Sequence, residues 1–268
     1  MGMDGPDPGR QSPDPTSIDA KTTMTNKFTF SQILDMVSAV RLMRYRKNLN
    51  DREDWLFYCV SNAAISHAQF FQDLWVVYES KGLRDGFFVE FGAANGLKYS
   101  NTLLLEQEYG WTGILAEPAR SWYPEIRQSR TARVDDRCVW SRSGEKVEFV
   151  EQRNALHSAI SGFSVVDPNS TSTQTYSVET VSLNDLLVQN GAPNRIDFMS
   201  LDTEGSELEI LQNFDFDAWD VRLIAVEHNF SETRQRLFEL LTSKGYQRKL
   251  ETLSDVDDFY VKQEPTGT

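Results

Sequence analysis

The 268-residue sequence predicts an α/β fold: a mostly parallel sheet with helices on both faces, an antiparallel closing strand, and a helical extension ahead of it. Three observations predict it. Apolar runs at 87–91, 113–117, 196–202 and 221–229 are rich in aromatic and β-branched residues and too short for buried helices, so they read as central parallel strands. Each run ends in an acid, a glycine turn or a polar cluster, and a segment of helical character follows it. After Gly245, the runs 246–250 and 258–262 form a closing pair.

With 40% hydrophobic residues the chain can bury one large core and leave some length for extensions. Its 40 acidic residues outnumber 27 Lys and Arg, giving a formal charge of -13. That balance argues against nucleic acid, because neutralising phosphates takes clustered cations. No apolar stretch approaches the roughly 18 residues of a membrane span, and the polar first residues lack a secretory core, so a soluble, cytoplasmic protein is expected. Cys59 and Cys138 sit in apolar contexts without Cys-x-x-Cys spacing. They read as buried thiols of a reducing compartment, not as metal ligands or a disulfide.

Along the chain, residues 1–26 are rich in Gly, Pro, Asp, Ser and Thr and predict a disordered tail. Residues 27–82 predict a helical extension, and 83–264 the main domain. In 31–47, Ile33, Leu34, Val37, Val40 and Met43 recur at helical spacing, with Arg41, Arg44, Arg46 and Lys47 near the end where cations suit the helix dipole. A second helix is expected at 51–61. Ser66-His-Ala-Gln69 has the form of a capping box opening a helix over 70–80, which ends at Gly82. Its aromatics read as core, and Gln72 and Asp73 as candidate functional groups.

The strand 87–91 then enters the turn Gly92-Ala-Ala-Asn-Gly96. Gly92 lets the backbone turn sharply, Gly96 allows a second close approach, and the helix expected at 101–109 directs free amides toward the loop. A dinucleotide fingerprint would need Gly-x-Gly-x-x-Gly, and the middle glycine is missing. The glycines alone would serve equally to close a strand-to-helix turn. The strand 113–117 finishes in Glu117-Pro118, about 20 residues after Gly96, the distance at which such folds place a ribose-binding carboxylate.

Residues 137–139 are read as the third strand, and 146–151 as an exposed hairpin strand after the turn Ser143-Gly144. The polar stretch 153–175, with His157, Ser158 and Phe163, is read either as a cover over the site or as a surface loop. A strand at 176–182 and a helix at 183–189 precede the break Gly191-Ala-Pro193. The strand 196–202 ends at Asp202, which places Asp202 and Glu204 at the carboxyl edge of the sheet. A helix at 206–213, a strand at 221–229 ending in Glu227-His228-Asn229, and a helix at 231–243 follow.

Taken in order, Phe88-Val-Glu-Phe-Gly-Ala-Ala-Asn-Gly96, Ser100-Asn-Thr-Leu-Leu-Leu-Glu106, Gly110-Trp-Thr-Gly-Ile-Leu-Ala-Glu-Pro118 and Leu201-Asp-Thr-Glu-Gly-Ser-Glu-Leu208 resemble the FkbM family of class I methyltransferases. The resemblance spans roughly residues 66–261. It implies a Rossmann-like sheet and S-adenosylmethionine as cofactor. It also implies that Glu90, Gly92, Ala93, Asn95, Gly96 and Ser100 surround the methionine part, with Asp202 nearby. Glu117 and Pro118 would meet the ribose, and Cys138 and Val139 the adenine. The family is associated with methylation of hydroxyl groups on sugars and related natural products, so a small hydroxylated acceptor is expected; a homo-oligomer is compatible with the sequence.

Methyl transfer to a hydroxyl needs positioning and a group that removes a weakly acidic proton. His228 is the first candidate base, with Asp202 and His157 as further catalytic candidates. Strand alternation allows only one of Glu227 and His228 to face the cofactor. Asp202, Glu204 and Glu227 could gather a hard divalent cation such as Mg2+, or serve substrate binding or helix capping instead. Two other readings stay open: a non-catalytic interaction module of the same fold, and an NAD-dependent oxidoreductase, which the missing glycine disfavours.

Overall fold

The structure, a computed structural model, describes residues 50–152, 158–162 and 173–264, all within the compact unit Leu49–Thr268. The expected tail 1–26, the helix 31–47, and His157 and Phe163 lie outside the described residues.

The strands in chain order are β1 (Phe87–Phe91), β2 (Thr112–Ala116), β3 (Arg133–Asp135), β4 (Cys138–Trp140), β5 (Lys146–Gln152), β6 (Ala159–Ile160), β7 (Thr173–Ser182), β8 (Arg195–Leu201), β9 (Asp220–Glu227), β10 (Tyr246–Lys249) and β11 (Asp257–Lys262). Seven of them form the main sheet in the order β10-β11-β9-β8-β1-β2-β3. The central neighbours pair in parallel, and β11 runs antiparallel between β9 and β10. This is the Rossmann-like, mostly parallel arrangement with an antiparallel closing strand that the sequence predicts.

Alternation along the strands builds two apolar layers. Phe88 and Phe198 face one side, where Trp75 of helix Gln72–Glu79, Leu104 and Leu105 of helix Leu103–Tyr109 and Ile126 of helix Tyr123–Ser129 cover them. Val89, Phe91, Met199 and Leu201 face the other, under helices Leu183–Gln189, Glu207–Gln212 and Thr233–Ser243. The strand order reverses at β1, from which β2 and β8 depart in opposite directions. In open α/β sheets the crevice at such a point is where ligands bind.

Three sequence expectations are corrected. The capping box stands at Asn50 and Glu53, whose side chains and backbone amides exchange bonds of 3.0 and 3.2 Å at the start of helix Asp51–Asn62. Ser66 instead donates to Asp73 Oδ1 at 2.6 Å. The following helix begins only at Gln72, because Phe71 takes a left-handed backbone (φ 64°) that a helix cannot continue through. The strand beside β2 in the main sheet is β3, with Ile114 opposite Arg133; the expected third strand, as β4, joins a second sheet, β4-β7-β5-β6. Arg133-Val-Asp135 has one apolar residue and so gives no apolar run to detect. The expected hairpin strand β5 pairs with β7 across the long polar stretch, from Lys146 opposite Glu179 to Gln152 opposite Thr173, and buries Phe149 in a cluster with Ala119, Cys138, Ile160 and Val178. Among the described residues no helix is long and apolar enough to cross a membrane.

Candidate active site

A cavity of about 420 Å3 opens at the carboxyl ends of β1, β2, β8 and β9, within the range of small-molecule sites. Its floor is the turn after β1. Gly92 has φ +71°, and a Cβ there would sit 1.9 Å from the carbonyl oxygen of Asp202, so only glycine lets the tip of β1 pass beside the tip of β8. The Gly92 amide donates to Ala116 O at 3.0 Å, which ties the turn to β2 as well. Gly96, at φ +77°, faces Arg130 Cγ at 2.8 Å from an added Cβ. Left-handed non-glycine residues gather around the cavity: Phe71, Ala94, Tyr99, Glu204 and Asn229. Such conformations are kept where the surroundings over-determine them.

The predicted cofactor residues divide into two groups. Gly92, Ala93, Glu117, Pro118, Cys138, Val139 and Asp202 line the cavity. Glu90, Asn95, Gly96 and Ser100 do not line it. Glu90 is 2% exposed. It accepts the Asn101 amide at 2.8 Å, the Ser100 hydroxyl at 3.2 Å and the Thr102 hydroxyl, with the Arg130 guanidinium 3.8 Å away. Burial pushes the Glu90 carboxyl above its usual range while Arg130 and these donors pull it back. Asn95 accepts the Leu97 and Lys98 amides at 3.1 and 2.8 Å, folding the loop on itself. Arg130 also reaches Glu106 at 2.9 Å, Gly96 O at 3.0 Å and Thr102 Oγ1 at 2.8 Å, so one buried cation clamps the loop to the first turn of the next helix.

Glu117 directly follows β2, with each oxygen aimed by a backbone donor: Ala94 N to Oε2 at 2.8 Å and Ala119 N to Oε1 at 2.7 Å. A carboxylate oxygen has a second lone pair, so both can accept again from a ligand. Burial raises this carboxyl to about 8. The Cys138 thiol, pushed by burial to about 12, is an apolar wall and not a nucleophile.

Opposite lie Asp202, Glu204 and Glu227, one oxygen of each within 4.8 Å of the others. Burial and the facing Glu227 hold Asp202 well above the usual carboxylate range; burial with Glu204 and Glu207 raises Glu227 to about 8. Glu207 fixes the loop that carries this cluster, its Oε1 accepting the Thr203 amide at 2.8 Å and the Gly205 amide at 3.1 Å.

His228 does not line the cavity. Its Nδ1 accepts the Phe230 amide at 3.0 Å, and its Nε2 lies 3.7 Å from Asp258, a carboxylate held by Arg234 and Arg248. Burial lowers its pKa. Of the Glu227–His228 pair it is Glu227 that faces the cavity. Asp73 holds the chain before its helix through the His67 amide at 2.7 Å, whereas Gln72 lines the cavity and donates to Asp257. Lining residues that the sequence does not single out include Lys98, Tyr99, Asn101, Phe149 and Ile160. Asn101 alone carried a signal, lying between Ser100 and Thr102 in a run already noted.

Several solved structures resemble the chain. They include the precorrin-6y C5,15-methyltransferase of Geobacter metallireducens GS-15 (10% identity, 70% of this chain and 85% of that one, TM-score 0.40). A TehB-like SAM-dependent methyltransferase of Corynebacterium glutamicum ATCC 13032 Kitasato gives 10% identity over 79% and 97%, TM-score 0.38. The human methyltransferase 10 domain containing protein gives 12% over 81% and 97%, TM-score 0.39. Likenesses at this level carry no argument about the chain. No curated protein matches it. Residues 90–248, more than half of the chain, match the family described as methyltransferase FkbM domain. The chain therefore belongs to the FkbM family of methyltransferases, whose cofactor is S-adenosylmethionine.

Proposed function

We propose that the chain is an S-adenosylmethionine-dependent O-methyltransferase that methylates a hydroxyl of a sugar-like or polyhydroxylated small molecule. The observation that carries the reading is the carboxylate of Glu117, held in the cavity beside the Gly92 turn by the Ala94 and Ala119 amides with lone pairs to spare. That geometry suits the paired hydroxyls of a ribose. Cys138 and Val139 offer an apolar wall for adenine, and Gly92 and Ala93 a close backbone approach for the methionine end.

Methyl transfer is an in-line displacement. The acceptor oxygen bonds the methyl carbon as the carbon–sulfur bond breaks, the sulfonium leaves as a thioether, and the hydroxyl proton passes to a carboxylate. Positioning supplies much of the rate. Of the cavity carboxylates Glu117, Asp202, Glu204 and Glu227, we assign this role to Asp202 and Glu227, in place of His228, whose ring does not line the cavity. Gln69, Gln72, Lys98 and Asn229 give the acceptor end a polar lining that suits several hydroxyls.

Calorimetry with S-adenosylhomocysteine tests the cofactor site. One binding event is expected, weakened in Glu117→Ala; no heat, or equal affinity in the variant, removes the claim. A protein that binds the cofactor product yet methylates nothing in a broad screen of hydroxylated metabolites would instead be a non-catalytic module.

A further inference from the structure

We propose that Asp202, Glu204 and Glu227 bind one hard divalent cation of the Mg2+ or Mn2+ class. Its role in catalysis rests on the O-methyltransferase reading above; its existence as a site does not.

The topology brings these three acids together. β8 and β9 pair in parallel with Leu201 opposite Val226, so the next residue on each chain, Asp202 and Glu227, emerges at the same edge. Glu204 returns from the loop beyond β8, and the three oxygens lie within 4.8 Å of one another. Anionic oxygens at that separation repel, and the cavity's described lining offers one cationic side chain, Lys98, against Glu117, Asp202, Glu204 and Glu227.

A second observation points to a ligand. Glu227 is only 8% exposed, and its Oε2 has no hydrogen-bond partner among the described residues. A buried carboxylate oxygen without a donor is costly, and the groups that satisfy it are hydrogen-bond donors or metal ions. Glu227 lines the cavity, so a bound cation can reach it. The cluster supplies oxygen alone, with no imidazole or thiol among its members, which favours Mg2+, Mn2+ or Ca2+ over zinc or copper. Three protein oxygens leave coordination positions for water or an acceptor hydroxyl, whose proton a bound cation would make easier to remove.

The test uses the full chain freed of metal by chelation. Mn2+ is titrated with the free-ion paramagnetic resonance signal as readout, and Mg2+ by calorimetry, each with and without S-adenosylhomocysteine. One saturable site is expected, Mg2+ displacing Mn2+, with affinity lowered about tenfold or more in both Glu227→Gln and Glu204→Gln. Melting temperature checks that each variant folds, and the half-buried Glu204 carries the test if Glu227→Gln does not. Absence of a saturable site, or unchanged affinity in a folded variant, overturns the proposal. If S-adenosylhomocysteine binds and Mn2+ does not, the cation site falls and the cofactor reading stands. If Mn2+ binds at this site and S-adenosylhomocysteine does not bind at all, the cofactor reading falls and the cation site stands.

Discussion

Gly92 and Asp202 meet backbone to backbone: an added methyl on Gly92 would lie 1.9 Å from the Asp202 carbonyl oxygen. The contact joins the tip of β1 to the tip of β8, and the cavity is the space left above it.

Gly92→Ala must therefore push the two tips apart and force a left-handed alanine. A loss of about 2–4 kcal/mol is expected in urea unfolding, together with weaker S-adenosylhomocysteine binding. Wild-type stability in this variant would show that the strand tips are not locked.

Glu117→Gln keeps the size of the side chain and replaces one acceptor oxygen with an amide donor. A hydrogen bond accepted from a ribose hydroxyl would be lost, weakening S-adenosylhomocysteine by about 10-fold in calorimetry. A change of less than twofold would place the ribose elsewhere.

The same residue makes ligand-free stability depend on pH. Burial raises the folded carboxyl from 4.5 to about 8, so the native state holds a proton that the unfolded chain releases between those values. The contribution is fully present below about pH 4.5 and is lost as pH rises through about 8. Urea midpoints measured at intervals across that window should decline for the native protein and decline less for Glu117→Gln. Parallel pH curves for the two proteins would contradict the assignment.

Arg130 neutralises a carboxylate that has no solvent to fall back on. In Arg130→Met the buried Glu90 loses its cation, 3.8 Å away, and Glu106 loses a partner at 2.9 Å. A cost of about 3–5 kcal/mol is expected, read from denaturant unfolding. Replacing Glu90 by Gln in the same molecule should recover part of it, and failure to do so would separate the two groups energetically.

The legible part of the site follows from local rules. The apolar run at 87–91 with its glycines, and the acids Glu117, Asp202 and Glu227 at strand tips, announce themselves through period and turn chemistry, which act over a few residues. β3 was not legible, since Arg133-Val-Asp135 is a strand only because β2 offers it an edge. His228 reads as a base in sequence, but its Nδ1 accepts the Phe230 amide and its ring does not line the cavity.

By itself the sequence determined the α/β class, the turn after β1 and the acid-tipped strands, because apolar spacing and glycine placement dictate how backbone hydrogen bonds can close. Only the tertiary structure decided which acids meet. Glu90, outside the lining, meets Arg130, 40 residues further on in the numbering. Gln72 meets Asp257 across 185 positions, and Asp202, Glu204 and Glu227 converge through the pairing of β8 with β9. Such encounters depend on strand order, and strand order is settled by the burial of whole faces and not by any local signal.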